Sequence, residues 1–468
     1  MTTHEGAQYL LPCSASFKCY DRFSILDDLG ELEDADGQVP FWNILAELLR
    51  SSVKTPTQLA ELLDTIAVTL RGNSGPAGDY RLLKSFISAS KPEFFDTHWP
   101  LIVQLALELP EHFPSGNLPV LGVEGSPSNL RLSRRQTACL VVHQFLCTLR
   151  APVWREDFFD FSIWYGSGQR HEEACKIYMT CLFTYLDTFL PTSNKSPDDR
   201  DITYTLVTAE TNYTASGSLP VSLSSVEIIV VDNYQTSPEQ LGLPSGAAVV
   251  AANRYIGFGQ SATQEEVHVG SSPEVCPAVL ITPPLRRNQV LVIRGAEAML
   301  NITGQRREIK SAAHEAGGSI DWRQRTMLFM DALELDIEDD DTGLPDLAPE
   351  NLAREVNKAA IAFTSGSYEC VCSPLWGCGA FGGDPYVKVM LLWCAASVAH
   401  VPLKIICDRR EAEVASSLNK LIVEIMKPLE TAQGLFGLLQ SLPRRTARLR
   451  TFGCMMDRLA TSIRDSRS

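Results

Sequence analysis

The sequence predicts an α/β fold: a mixed sheet flanked by helices and preceded by an all-α accessory domain. Three observations carry that reading. Apolar residues recur at helical spacing through the first 200 residues. Strand-like runs alternate with helical stretches from about residue 202 onward. Two glycine-rich turns each connect a strand-like run to the start of a helix. The expected division is a helical domain over residues 1–200 and an α/β domain with C-terminal helices over 201–468.

In the first region Trp42, Leu45, Leu48 and Leu49 recur at helical spacing, as do Leu101, Leu105 and Leu109, and Ala138, Val141, Val142 and Phe145. The Gly/Pro/Ser-rich stretches 72–78 and 115–129 are candidate linkers, and the polar segment 191–201 separates this region from the next. Residues 226–231, 247–256, 278–282, 290–293, 325–330, 368–372 and 403–407 then read as strands. Residues 349–363 read as a helix. Val387, Met390, Leu391, Cys394, Ala395 and Val398 follow the i, i+3, i+4, i+7 pattern of another. From Arg410 to about Arg464 the chain is helical again, and there is no internal repeat.

Composition narrows the function classes. The chain has 468 residues, 45% hydrophobic and 21% charged, enough for two or three packed cores. Many of its thirteen cysteines lie in apolar runs, such as Cys139, Cys147, Cys181 and Cys394, where a thiol packs as a small hydrophobe. Met1–Glu5 shows no basic stretch leading into an apolar one, so a reducing interior is expected. The apolar stretch 387–407 is interrupted by Lys388, Ser397, His400, Pro402 and Lys404, too often for a membrane span. A net charge of −15 argues against a general nucleic-acid binder, and no direct sequence-specific nucleic-acid binding is expected, yet it allows a polyanionic ligand held by backbone amides. The acidic run 336–341 lacks the glycine and closing glutamate of a calcium loop and reads as solvated.

Two segments carry chemistry. The first runs Asn253-Arg254-Tyr255-Ile256-Gly257-Phe258-Gly259-Gln260-Ser261-Ala262-Thr263-Gln264-Glu265-Glu266. Its glycines permit close approach of a ligand to the backbone, and two adjacent carboxylates open a helix. Two other readings stay open here. Thr263-x-x-Glu266 is a capping box, in which Glu266 simply holds the Thr263 amide. Gly257-x-Gly259-x-x-Ala262 also fits the dinucleotide-binding fingerprint, although no βαβ unit frames it, and would imply a nicotinamide-dependent dehydrogenase. The second segment, Trp376-Gly377-Cys378-Gly379-Ala380-Phe381-Gly382-Gly383-Asp384-Pro385, places Asp384 as N-cap and Pro385 at the first helical position. Four glycines in seven residues beside a helix N-terminus suit a diphosphate. An aromatic among them, Phe381, argues against a merely flexible loop. Cys370, Cys372 and Cys378 lack zinc-ligand spacing, so no metal is expected.

Together the two segments resemble the eukaryotic poly(ADP-ribose) glycohydrolases, which carry a glycine triplet, a spacer and Gln-Glu-Glu, then Gly-Cys-Gly-Ala-Phe-Gly-Gly. The second motif is matched without change at 377–383. The likeness extends to Ala252-Asn253-Arg254, Asp331-Ala332-Leu333 and Arg354-Glu355-Val356-Asn357-Lys358. Upstream it includes Leu105-Ala106-Leu107-Glu108-Leu109-Pro110, Gln136-Thr137-Ala138-Cys139-Leu140 and Phe145-Leu146-Cys147-Thr148. It implies a macrodomain-like mixed sheet behind the helical domain, and hydrolysis of ribose–ribose bonds in ADP-ribose polymers. It also implies poly-ADP-ribosylated proteins as partners, no cofactor, and a nuclear or cytoplasmic setting such as the DNA damage response.

The resemblance further implies roles. Glu266 would be the general acid/base, and Glu265 would help hold ribose hydroxyls beside Gln264. Asn253 would bind the terminal ribose, with Gly257 and Gly259 lining its site. The loop around Gly379–Gly382, including Ala380, would wrap the diphosphate, Gly377 and Gly383 would join it in binding substrate, and Phe381 would orient the terminal ribose. The helix N-terminus lowers the pKa of Glu266 while burial and Glu265 raise it, so the net direction stays open. The sequence departs from the family in several places. Gly257-Phe258-Gly259 replaces the triplet and only four residues separate it from Gln264. Gln305 stands for a tyrosine, Leu375 for an asparagine and Ile406 for an adenine-packing aromatic; Asp232 is the candidate for the base-reading acid. These departures leave room for an alternative from another class, a catalytically weak ADP-ribose reader.

Overall fold

The computed structural model describes residues 8–27, 32–72, 78–155, 159–191, 199–210, 212–214, 219–231, 242–314, 320–336, 343–444 and 450–465. Asp232, and the part of the acidic run beyond Asp336, lie outside those residues.

The N-terminal region is built mainly of helices: α1 (Phe41–Arg50), α2 (Pro56–Arg71), α3 (Arg81–Ser90), α4 (His98–Leu107), α5 (Arg134–Phe145) and α6 (Glu172–Asp187). Local chemistry sets their starts. Thr55 accepts from the Gln58 amide with Pro56 at the first position of α2. Ser133 and Gln136 form a reciprocal capping box on α5.

Eight strands form one mixed sheet: β1 (Asn129–Ser133), β2 (Asp201–Thr208), β3 (Val226–Val231), β4 (Ala247–Ala252), β5 (Gln289–Arg294), β6 (Thr326–Asp331), β7 (Val371–Ser373) and β8 (Leu403–Asp408). Their order across the sheet is β1-β2-β5-β6-β4-β7-β8-β3. The run β6-β4-β7-β8-β3 is parallel, with Met327 opposite Ala248 and Leu403 opposite Val226. The β1-β2-β5 side is antiparallel and joins β6 antiparallel. Helices α7 (Gln264–Gly270), α8 (Pro349–Phe363), α9 (Pro385–Val398), α10 (Ala412–Ile425), α11 (Ala432–Ser441) and α12 (Thr451–Asp465) complete the fold.

The expected macrodomain-like mixed sheet flanked by helices is therefore present, with both faces covered. Strand parity divides the packing. Val250, Ala252, Leu291, Ile293, Met327 and Phe329 join the core shared with the helical region. Val249, Val290, Val292, Leu328 and Met330 face the core under α8, α9 and α10–α12.

Three expectations change. The run 278–282 is not a strand: Ala278–Ile281 is a buried single-turn helix, the ambiguity inherent in short apolar runs. Residues 129–133, inside the region read as helical, form the sheet's edge strand, and β2 is a strand the reading did not select. Among the described residues no helix is long and apolar enough to cross a membrane. The thirteen cysteines are all free thiols.

Candidate active site

A cleft of about 840 Å³ lies where the carboxyl ends of β4, β6, β7 and β8 open into loops, the usual ligand position in a sheet with parallel strands. Of the residues singled out from sequence, Asn253, Gly257, Gly259, Gln264, Glu265, Glu266, Gly377, Gly379, Ala380 and Phe381 line it. Gln305 and Leu375 line it too, whereas Ile406 does not and is buried in β8.

The first wall is the β4–α7 loop. The capping box is real: Thr263 N donates to Glu266 Oε2 at 2.9 Å, and the Glu266 amide reaches Thr263 Oγ1 at 3.5 Å. The same carboxyl borders the cleft, so capping does not withdraw it from a bound ligand. Burial raises the Glu266 pKa against the backbone and hydroxyl hydrogen bonds from Thr263, which settles the direction left open above. Glu265 is buried, accepting from the Asn253 amide at 2.8 Å and the Gly257 amide at 3.0 Å. Burial pushes it up to about 8 despite those bonds. A carboxyl raised that far by burial holds its proton near neutral pH. Gln264 stitches α7 to β4, accepting from Ala251 N at 2.7 Å and donating to Val249 O at 3.3 Å. Asn253 Nδ2 donates to Glu334 Oε1 at 3.2 Å, while its Oδ1 accepts from Tyr255 N at 3.0 Å.

This loop is gripped from outside by the helical region, through residues the sequence reading missed. Arg155 donates to Ile256 O at 2.7 Å and Tyr255 O at 3.4 Å. Its guanidinium lies so close that a Cβ on Gly257 would sit 2.5 Å from Nη2. Trp164 Nε1 donates to Gly259 O at 2.8 Å. Phe258, standing within the family's glycine triplet, is buried with ring centroids 5.3 Å from Phe161 and 5.4 Å from Trp164. An aromatic where a glycine is expected was a readable signal; nothing in the local sequence marked Arg155. Ala262 adopts φ +53° in the shortened spacer, and its carbonyl accepts from Arg306 N at 3.0 Å. A Cβ on Gly259 would meet Glu266 Oε1 at 1.9 Å, so glycine is what lets the acid reach its place.

The second wall is the glycine loop before α9. Gly377 and Gly382 take φ +76° and +65°, backbone that favours glycine. Gly383 N donates to Gly377 O at 2.9 Å and Gly382 N to Gly379 O at 3.3 Å. Those two amides are thus used inside the loop, and Gly382 and Gly383 do not line the cleft. The amides of Gly379, Ala380 and Phe381 make no hydrogen bond among the described residues, and these three do line it. Asp384 caps α9 as expected, accepting from Tyr386 N and Val387 N at 3.0 Å. Beneath the loop lies a buried ionic cluster. Lys388 pairs with Glu355 and sits 5.1 Å from the Trp376 ring; Arg354 pairs with Asp331 and Glu355; Lys358 Nζ lies 2.6 Å from Asp331 Oδ1.

At the end of β8, Arg410 joins Asp408 at 2.7 Å and Glu308 at 3.1 Å, tying the Gln305–Arg306 loop to the cleft's far side. Among the described residues one group offers metal-ligand atoms within 4.8 Å of each other: Glu108, His112 and Cys139 in the helical region. Arg135 already holds both Glu108 oxygens, at 2.7 and 2.5 Å. Cys370, Cys372 and Cys378 form no such group among those residues.

The model of the poly(ADP-ribose) glycohydrolase macro domain fold matches residues 231–414, and that of the same family's helical domain matches 87–208. The chain belongs to the poly(ADP-ribose) glycohydrolase family. It is 26% identical to poly(ADP-ribose) glycohydrolase 1 of Caenorhabditis elegans over 363 residues, 73% of this chain and 44% of that one. Poly(ADP-ribose) glycohydrolase 2 of the same organism is 29% identical over 188 residues, 36% of this chain and 39% of that one. The chain thus spans less than half the length of these relatives. A solved poly(ADP-ribose) glycohydrolase from Deinococcus radiodurans, in complex with ADP-ribose, aligns over 46% of this chain and 92% of its own. That alignment has 14% identity and a TM-score of 0.31.

Proposed function

We propose that the chain hydrolyses the ribose–ribose O-glycosidic bonds of ADP-ribose polymers and releases ADP-ribose. The observation that carries this reading is the facing of two walls. Glu266, its pKa raised by burial, borders a cleft whose other wall holds the unbonded amides of Gly379, Ala380 and Phe381. Amides without internal partners suit a diphosphate. Glu266 donates its proton to the 2′-oxygen of the leaving ribose as the bond to the anomeric carbon breaks and the terminal ribose gains oxocarbenium character. The resulting carboxylate then takes a proton from the water that attacks that carbon.

Glu265 keeps Asn253 and Gly257 in place through their amides and borders the ribose beside Asn253. Phe381 sets the angle of the terminal ribose. No step requires a metal or cofactor. Poly-ADP-ribosylated proteins are the proposed partners, the nucleus or cytoplasm the proposed compartment, and the DNA damage response the proposed setting.

The test is incubation of the purified chain with labelled polymer and no added cofactor, beside Glu266→Gln. Free ADP-ribose is expected from the first, with about a 10²–10⁴-fold loss in the second and ADP-ribose binding retained. Raising pH removes the acid's proton, so the rate should fall along an alkaline limb placed above the ordinary carboxylate range. Tight ADP-ribose binding without turnover by the unsubstituted chain would favour the reader instead.

A further inference from the structure

Nine large hydrophobic side chains are exposed among the described residues, and of these Tyr255 alone lines the cleft, with 41% of its surface open. Arg254 sits over its ring at 5.3 Å from the centroid and lines the cleft beside it. The backbone under this pair is fixed on both sides. Tyr255 N donates to Asn253 Oδ1 at 3.0 Å, Tyr255 O accepts from Arg155 at 3.4 Å, and Arg254 O accepts from Leu285 N at 2.8 Å. An exposed aromatic on a pinned backbone is a preset platform, since only side-chain motion remains to be restrained on binding.

Topology says which part of a ligand meets that platform. Strand order β6-β4-β7-β8 places the loop after β4, with Tyr255 and Glu266, on one side of the glycine loop after β7. The end of β8, with Asp408 and Arg410, lies on the other side. With the diphosphate on Gly379–Phe381, one arm of the bound unit runs toward β8 and the other toward Glu266. The chain beyond the cut bond then leaves on the β4 side.

We propose that Tyr255, backed by Arg254, forms a further subsite that stacks the adenine of the polymer unit on the leaving side of the scissile bond. This rests on the polymer reading above. The free ring face accepts a purine, while the arginine on the other face strengthens the ring's hold through cation–π attraction and meets the approaching polyanion. Glu334, bonded to Asn253, lines the same cleft, while the Arg155 guanidinium beside Tyr255 is already engaged with the Tyr255 and Ile256 carbonyls.

The test measures binding of ADP-ribose and of a short defined polymer by calorimetry in the Glu266→Gln chain, with Tyr255→Ala and Tyr255→Phe added. Tyr255→Ala should weaken the polymer about ten-fold or more, the reach of one stacked base, and leave ADP-ribose within about two-fold. Tyr255→Phe keeps the ring and should keep both affinities. In the unsubstituted chain, Tyr255→Ala should raise KM for polymer more than it lowers kcat. Equal weakening toward both ligands, or unchanged polymer affinity, overturns the subsite. Polymer that binds with this Tyr255 dependence yet is not cleaved by the unsubstituted chain would sink the hydrolase reading alone. Binding of neither ligand sinks both.

Discussion

The two loops that face each other across the cleft both depend on glycine, and for opposite reasons. In the β4–α7 loop, Gly257 and Gly259 have no unusual φ; they are small because Arg155 and Glu266 come within 2.5 and 1.9 Å of where a Cβ would stand. In the β7–α9 loop, Gly377 and Gly382 have positive φ, and the backbone turns because of them. The first loop is held from outside, by Arg155, Trp164 and the Phe258 aromatic cluster of the helical region. The second is held from beneath by buried charges. Where glycine buys space, a substitution should hurt chemistry before stability; where charge or φ sets the turn, stability should fall first.

That contrast is open to test in descending size of effect. Lys388→Met removes one of the two ion-pair partners of buried Glu355 among the described residues, and should cost about 3 kcal/mol in denaturant unfolding. Adding Glu355→Leu should recover much of the loss; no recovery would mean that Lys388 acts through packing on Trp376. Gly259→Ala should displace the Glu266 carboxyl and reduce kcat about 10²-fold, since small misplacements of a catalytic group cost that much. Its melting temperature should barely move, and a chain that unfolds instead would erase the distinction between the loops. Ala262→Gly should stabilise slightly. Relief of left-handed backbone is worth about 1–2 kcal/mol, more than the roughly 0.4–1 kcal/mol of added unfolded-state freedom. A loss of stability would show that Ala262 packing outweighs its backbone cost.

What was legible in sequence follows from the range of each interaction. Helices such as Pro349–Phe363 and Pro385–Val398 were readable because periodicity and caps are local. So were parallel strands such as Ala247–Ala252, an uninterrupted apolar run. Asn129–Ser133 was not, because Leu130 and Leu132 are its only apolar residues and it borders a Gly/Pro/Ser-rich stretch. Its identity comes from pairing with β2. At the site, the adjacent carboxylates and the glycine loop announced themselves as motifs. Sequence did not separate Gly379, which faces the cleft, from Gly383, whose amide folds back on Gly377. Arg155 acts on carbonyls about a hundred positions away, a contact that only the packed helical layer creates.

The edge strand Asn129–Ser133 has a consequence for synthesis. It pairs with Asp201–Thr208, whose other side pairs with Gln289–Arg294, and the residue after it, Arg134, reaches Glu274 and Glu297 at 2.8 and 3.1 Å. On a ribosome adding about 5–20 residues per second, the pairing strand emerges roughly three to fourteen seconds after the edge strand, and Glu297 roughly eight to thirty-three seconds after Arg134. The helical region therefore matures together with the sheet, not ahead of it. A nascent chain stalled between Glu274 and Glu297 carries Arg134 with one of the two carboxylates that it pairs with in the folded chain.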